Sequence, residues 1–188
     1  MTTGDRTNRA RRDEQPAAAE QEAAEQKARD ICVRLLTARP RTRVELAQVL
    51  TRKGIPDQLA ERVLGKLDRS GLVNDADFAE TWVHSRHTYD GLGRRALIAE
   101  LKRKGVDESV AAEAASEVDS AAEERRARQL VRKKLRTVGD AEEATRVRRL
   151  VGVLARKGYP QGLAYRVVRE ELRAAGEDGG LLDDVLID

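Results

Sequence analysis

The stretch Leu97-Ile98-Ala99-Glu100-Leu101-Lys102-Arg103-Lys104-Gly105-Val106-Asp107 decides how this chain folds, because two other stretches repeat its plan. These are Leu46 to Leu50 followed by Thr51-Arg52-Lys53-Gly54-Ile55-Pro56, and Leu150 to Leu154 followed by Ala155-Arg156-Lys157-Gly158-Tyr159-Pro160. The glycines recur with a period of about fifty residues, longer than the helix-pair solenoid repeats. Each block sets two leucines one helical turn apart, then a basic turn, then a glycine where a helix needs a left-handed residue to stop. Basic side chains there also complement the negative end of the helix dipole. An apolar residue (Ile55, Val106, Tyr159) and a helix-starting residue (Pro56, Asp107, Pro160) follow, and a second amphipathic run passes through Leu59, Val110 and Leu163. The pattern predicts three equivalent helix pairs.

A further helix is expected before each pair, over Ala17 to Ala38, Asp75 to about Tyr89, and Ala121 to about Arg136. Capping boxes are expected at Thr42 with Glu45, Ser120 with Glu123 and Asp140 with Glu143. No run alternates with period two, so no strand is expected. The expected fold is all-α, an elongated, curved array of three tandem three-helix, helix-turn-helix-like repeats over residues 17–73, 74–119 and 120–174. Residues 1–16, which lack apolar periodicity and end at Pro16, are expected to be a disordered tail, and the acidic residues 175–188 a flexible one. The acidic segment also carries leucines that fit docking on the chain's own basic face.

Composition narrows the function. With 37% charged and 3% aromatic residues, an extended helical assembly fits better than a sandwich or barrel, and the net charge of +3 is too small to imply nucleic-acid binding by itself. The single Cys32, between Ile31 and Val33, reads as a small core residue and excludes a disulfide framework. No apolar stretch approaches the roughly 20 residues that span a bilayer, and Arg9-Ala10-Arg11-Arg12 lacks the apolar segment of a signal peptide, so a cytoplasmic location without membrane contact is expected. The Gly91-Leu92-Gly93-Arg94-Arg95 turn follows a helix rather than a strand and is no phosphate-binding loop. His84 and His87 read as a solvated helix face, and Ser85 has no base in reach. No catalytic, metal or cofactor-binding residue is expected, and no cofactor.

Charge distribution carries the functional signal. Residues 123–158 hold twelve basic and five acidic side chains, a net +7 that leaves −4 for the rest of the chain. Arg125, Arg128, Arg132 and Arg136 recur at helical spacing opposite Ala127, Leu130 and Val131. Arg148, Arg149 and Arg156 form a second stripe, facing away from Val147, Leu150, Val151 and Leu154 around the small Gly152, and Lys157 in the turn beyond is expected to join the binding residues. Like charges three or four apart cost a few tenths of a kcal/mol per pair, so these arginines are not chosen for helix stability and read as an anion-binding face. A smaller patch comprises Arg94, Arg95, Lys102, Arg103 and Lys104. Phe78 and Trp82 read as core, and Tyr89 as the best exposed aromatic. Cations without stacking or base-edge groups hold phosphates or acidic protein surface and read little sequence.

Three segments together carry a family resemblance: Gly71-Leu72-Val73-Asn74-Asp75-Ala76-Asp77-Phe78-Ala79, Trp82-Val83-His84-Ser85-Arg86, and Gly93-Arg94-Arg95-Ala96-Leu97 through Glu100-Leu101-Lys102-Arg103-Lys104-Gly105-Val106. They resemble the central signature of the RecX regulatory proteins, and the flanking repeats extend the similarity from about Ala28 to Leu172. Two positions depart from it: Asn74-Asp75 stands where an acidic pair is common, and Ala96 where a larger apolar residue is usual. The resemblance implies three tandem three-helix units that lodge in the groove of a RecA recombinase filament on DNA, bridging protomers. It further implies inhibition of recombinase ATP hydrolysis, strand exchange and co-protease action, and direct contact with single- and double-stranded DNA.

Two rival readings are a sequence-specific transcription regulator of the helix-turn-helix type and a general helical scaffold. The first wants base-reading side chains at the start of a recognition helix, which Asp107-Glu108-Ser109 and Gln161-Gly162 supply poorly. The second leaves the cationic stripes without a use. Each unit's apolar face is matched by a neighbouring unit and no heptad seam is left over, so the chain should sediment as a monomer at low micromolar concentration. An obligate dimer in sedimentation velocity would contradict this.

Overall fold

The three glycine turns form one recurring helix stop. In the computed structural model, which describes residues 4–138 and 142–176, Gly54, Gly105 and Gly158 have φ of 74°, 83° and 83°. The N–H groups of Ile55, Val106 and Tyr159 each donate at 3.1 Å to the carbonyl of Leu50, Leu101 and Leu154, and each glycine N–H reaches the carbonyl of Thr51, Lys102 or Ala155. That is the paired bonding of a Schellman stop, whose leucine and following apolar residue are buried in all three cases.

Among the described residues there are nine α-helices and no strand. The chain divides into two compact units, Met1–Phe78 and Ala79–Asp188. The first holds α1 (Gly4–Ala38), α2 (Arg43–Arg52), α3 (Asp57–Arg69) and the start of α4 (Asp75–Ser85). Its core joins Ala28, Ile31 and Cys32 of α1 to Leu46 and Leu50 of α2 and to Leu59, Val63, Leu64 and Leu67 of α3. Cys32 is fully buried, as its apolar neighbours predict, and burial pushes its thiol pKa up. The backbone of α1 is helical from Gly4, well before the Ala17 start expected from composition, and the helix runs through Pro16.

The second unit holds the rest of α4, α5 (Arg94–Arg103), α6 (Glu108–Ser116), α7 (Ser120–Val138), α8 (Glu143–Arg156) and α9 (Gln161–Ala174). In the third repeat Ala127, Val131, Val147, Leu150, Leu154, Tyr159, Ala164, Val167, Val168 and Leu172 share one core. The helix expected to run to Tyr89 instead ends at Ser85 and passes into a π-helical turn, Arg86–Asp90. Gly91, with φ 65°, closes that turn, and Leu92 N–H reaches back to Arg86 O at 3.2 Å. At the other end α9 stops at Ala174, followed by Gly176 at φ 81°. Residues 1–3 and the acidic segment 177–188 lie outside the described residues.

The caps agree only in part with the expected boxes. Thr42 Oγ1 accepts Glu45 N–H at 3.1 Å. For α7 the capping oxygen is Asp119 Oδ1, which takes Ala122 N–H at 2.6 Å, rather than Ser120. Asp140 lies outside the described residues, and α8 starts after Glu142 without a side-chain cap.

A second kind of cap ties repeats together. Asp75, at the start of α4, accepts the N–H of Arg43, the first residue of α2, at 2.9 Å. Glu123, in the first turn of α7, accepts the N–H of Arg94, the first residue of α5, at 2.9 Å. In both places a carboxylate from the opening of the next repeat satisfies an unpaired N–H and faces the positive end of a helix dipole. Beside the second of these, Gly93 N–H donates to Lys157 O at 2.8 Å. A Cβ on Gly158 would lie 2.4 Å from Ala96 N and 2.5 Å from Ala96 Cβ.

Two glycine substitutions therefore differ in severity. Gly105→Val forces a β-branched residue into the left-handed region and should lower unfolding stability by on the order of 1 kcal/mol or more. Gly158→Ala adds a backbone collision to the same conformational strain and should cost more, although alanine is the milder residue. Urea unfolding of both variants, with equal losses or none, would contradict this ranking.

Candidate functional site

The arginines of α7 are not equivalent. Glu171, on the apolar face of α9 between Val168 and Leu172, is buried at 5% exposure. It receives Arg132 Nε–H at 2.6 Å and Nη2–H at 3.0 Å, a bidentate pairing, and Arg128 Nη1–H at 3.3 Å. Arg128 also bonds Glu124 at 2.6 Å and Glu170, and Arg166 reaches Glu124 at 2.7 Å. These bonds, that to Glu124 foremost, hold the Arg128 pKa well above its ordinary value. The hydrogen bonds from Arg132 hold the Glu171 carboxyl below the usual carboxylate range. Half of the stripe expected to meet an external anion thus already holds internal ones, while Arg125 and Arg136 are exposed.

The patch on α5 divides in the same way. Arg94 is engaged by Glu123, through its backbone and through Nε–H at 3.0 Å, and Lys102 pairs with Glu108 at 2.8 Å. Lys104 lies 4.3 Å and Arg86 4.4 Å from the centroid of Trp82, whose Nε1–H donates to Glu100 at 2.9 Å. Trp82 is therefore half-buried under two cations rather than in the core, whereas Phe78 is buried as expected. Arg95 and Arg103 remain, both exposed and without a carboxylate partner among the described residues.

The fold brings these two arginines to the second basic stripe. A groove in the C-terminal unit is lined by Arg95, Ala96, Ala99, Glu100 and Arg103 from α5, and by Val151, Ala155 and Arg156 from α8 with Gly158, Tyr159 and Gln161 beyond it. Glu100, its acidic member, is held by Trp82 and by Arg86 at 3.4 Å. Arg148 precedes Val151 and Ala155 on one face of α8, and Arg148, Arg149 and Arg156 are exposed with no carboxylate partner among the described residues. Lys157 is turned elsewhere and donates to Asp90 O. The small side chains of Ala96, Ala99 and Ala155 leave room between the cations, which suits an elongated anion more than a compact one.

Two acids of the C-terminal unit are buried where patterning predicts no burial. Glu123 is 1% exposed and Glu171 5%, yet neither was expected inside. Their positions carried a signal: Glu123 shares a helical face with Ala127 and Val131, and Glu171 shares one with Val167 and Val168. An acid on an apolar stripe demands a buried cation or N–H partner. Tyr159 is buried at 3% and donates its hydroxyl to Gly91 O at 3.1 Å, and burial raises its pKa. His87 Nδ1 lies 2.9 Å from Leu92 O, inside the π turn, while His84 is exposed.

Because its folded-state pKa is depressed, the Glu171 contribution to stability is complete at neutral pH and is lost as pH falls through that depressed value. Glu171→Gln should destabilise the fold by on the order of 1–2 kcal/mol at pH 7 and flatten the acid side of the stability–pH profile. Arg128→Glu should also destabilise, whereas Arg148→Glu should change stability by less than about 0.5 kcal/mol. Thermal melts showing all three variants equal would mean that the network does not hold α7 to α9.

Comparison with known proteins agrees with the repeat structure. Residues 28–67, 74–114 and 122–168 match, in that order, the first, second and third three-helix domains of RecX. Regulatory protein RecX of Amycolatopsis mediterranei (strain U-32) is 59% identical over 173 residues, covering 92% of this chain and 99% of that one. Regulatory protein RecX of Thermobifida fusca (strain YX) is 53% identical over 150 residues, covering 80% of this chain and 81% of that one. Among solved structures, the crystal structure of RecX from Lactobacillus salivarius superposes with a TM-score of 0.75 at 19% identity, over 80% of this chain and 97% of that one. A second, described as a regulatory protein RecX, gives 0.77 at 23% identity over 84% and 77%. With all three of its helical repeats matched in order, this chain belongs to the RecX family of regulatory proteins.

Proposed function

We propose that this chain is a non-enzymatic, cytoplasmic regulator that binds the RecA recombinase filament on DNA and restrains its ATPase, strand exchange and co-protease activities. The observation that carries the reading is the convergence of Arg95 and Arg103 with Arg156 in one groove, cations from two repeats with no carboxylate answering them among the described residues. Uncompensated like charges on a folded surface are favoured only where an anionic partner arrives. A nucleoprotein filament offers two such partners, DNA phosphates and acidic protein surface, and a groove without base-reading groups holds either without reading sequence. Membership of the RecX family supports RecA as the recombinase. The transcription-regulator alternative is disfavoured because Asp107, at the start of α6, directs its carboxylate onto Ser109 N–H at 2.8 Å and Ser109 Oγ at 2.6 Å. Both side chains are engaged in capping α6 rather than turned to a partner.

The triple variant Arg95→Glu/Arg103→Glu/Arg156→Glu should require at least about tenfold more protein to inhibit the DNA-dependent ATPase of RecA, with helical content unchanged. Its binding to DNA should also show a shallower salt dependence, the logarithmic slope falling by about 0.9 for each duplex phosphate that the variant no longer neutralises. Undiminished inhibition by the triple variant would overturn the assignment of this groove.

A further inference from the structure

Tyr89 is 79% exposed, the most open large hydrophobic side chain among the described residues, and it stands on a turn that is held firmly. Leu92 N–H bonds Arg86 O at 3.2 Å, Arg126 Nη2 bonds Thr88 O at 2.6 Å, Lys157 Nζ bonds Asp90 O, and Tyr159 hydroxyl bonds Gly91 O at 3.1 Å. The backbone on either side of the ring is pinned while the ring itself has no cover. Its exposure is therefore imposed by the fold. The turn is π-helical, an irregularity that concentrates at functional sites.

Beside the ring runs a groove, separate from the arginine groove, whose lining includes Tyr89, Arg126, Lys133, Lys134 and Lys157. Arg126, Lys133 and Lys134 share one face of α7 and span about 12 Å along its axis. Lys133 and Lys134 are exposed and have no carboxylate partner among the described residues. Asp90, the acid in the lining, is bonded by Arg86 at 2.5 Å. A fixed, open aromatic ring at the head of a row of cations matches what an unpaired nucleic-acid strand needs, a surface for a base and charges for the backbone. In a duplex the bases are stacked on each other and present no free face to the ring. A protein partner fits less well, because Leu130 and Val153 add little apolar lining for a desolvated interface core.

We propose that this groove binds single-stranded nucleic acid, with a base stacked on Tyr89 and its phosphates on Lys133 and Lys134. The inference deepens the recombinase reading and rests on its nucleoprotein half alone. It gives the chain a way to distinguish the unpaired strand from duplex.

The test is fluorescence anisotropy of the full chain with labelled oligothymidylate and with a duplex of equal length, at low salt. Tyr89→Ala should weaken oligothymidylate binding about tenfold or more and duplex binding less than about twofold, and Tyr89→Phe should restore it. Lys133→Glu/Lys134→Glu should weaken both. Equal losses on the two probes from Tyr89→Ala, no loss, or no binding of oligothymidylate by the native chain would overturn the proposal. So would a Tyr89→Ala variant that binds oligothymidylate normally yet no longer binds RecA filaments, which would make the ring a protein contact. Absence of ATPase inhibition by the native chain would instead count against the recombinase reading, and the oligothymidylate result would stand by itself.

Discussion

The closure of Glu123 over the first N–H of α5, beside a place where Gly93 and Gly158 meet almost backbone to backbone, is the constraint on which the second and third repeats depend. A buried carboxylate at a helix start is favourable only with donors at hand, and Arg94 supplies two of them, at 2.9 and 3.0 Å. Gly158 ends α8 in a left-handed conformation and at the same position leaves space for Ala96. A larger side chain at either residue would separate α5 from the turn after α8. The small side chain of Ala96 therefore has a packing reason, the close approach of Gly158.

From that junction follows a division among the basic residues. Arg94, Arg128 and Arg132 hold buried carboxylates and belong to the fold, and Lys104 lies over Trp82. Arg95, Arg103, Arg148, Arg149 and Arg156 hold none among the described residues and are the cations that the proposed function assigns to a partner. Net charge does not distinguish the two sets. The decisive property is whether a neighbouring helix presents an acid, and that is a matter of tertiary structure.

Much of the fold is legible in the sequence, for local reasons. The recurrence of Leu, basic turn, Gly and apolar residue encodes a Schellman stop in neighbouring side chains alone, so the order of residues suffices to make Gly54, Gly105 and Gly158 left-handed. The Thr42 cap is legible on the same ground. The Ser120 box is not, because Glu123 is drawn across to Arg94, and its repeat mate Asp75 is drawn to Arg43 by the same logic. The π turn escapes as well: nothing in Arg86 to Asp90 breaks helical periodicity, and the wide turn is held by Tyr159, Lys157 and Arg126, which are distant in sequence. For the site, charge patterning picks out the basic segments. It does not identify which arginines are already paired, since Glu170 and Glu171 approach α7 only after α9 folds against it.

Under the proposed function the cations of α5 and α8, which line one groove although they come from separate repeats, act as one site. A double-mutant cycle on Arg103→Glu and Arg156→Glu, read as inhibition of DNA-dependent RecA ATPase, tests that unity most directly. One shared site predicts a coupling of at least about 0.5 kcal/mol between the two reversals. Additive effects, within about 0.3 kcal/mol, would mean two independent patches and would contradict a single site.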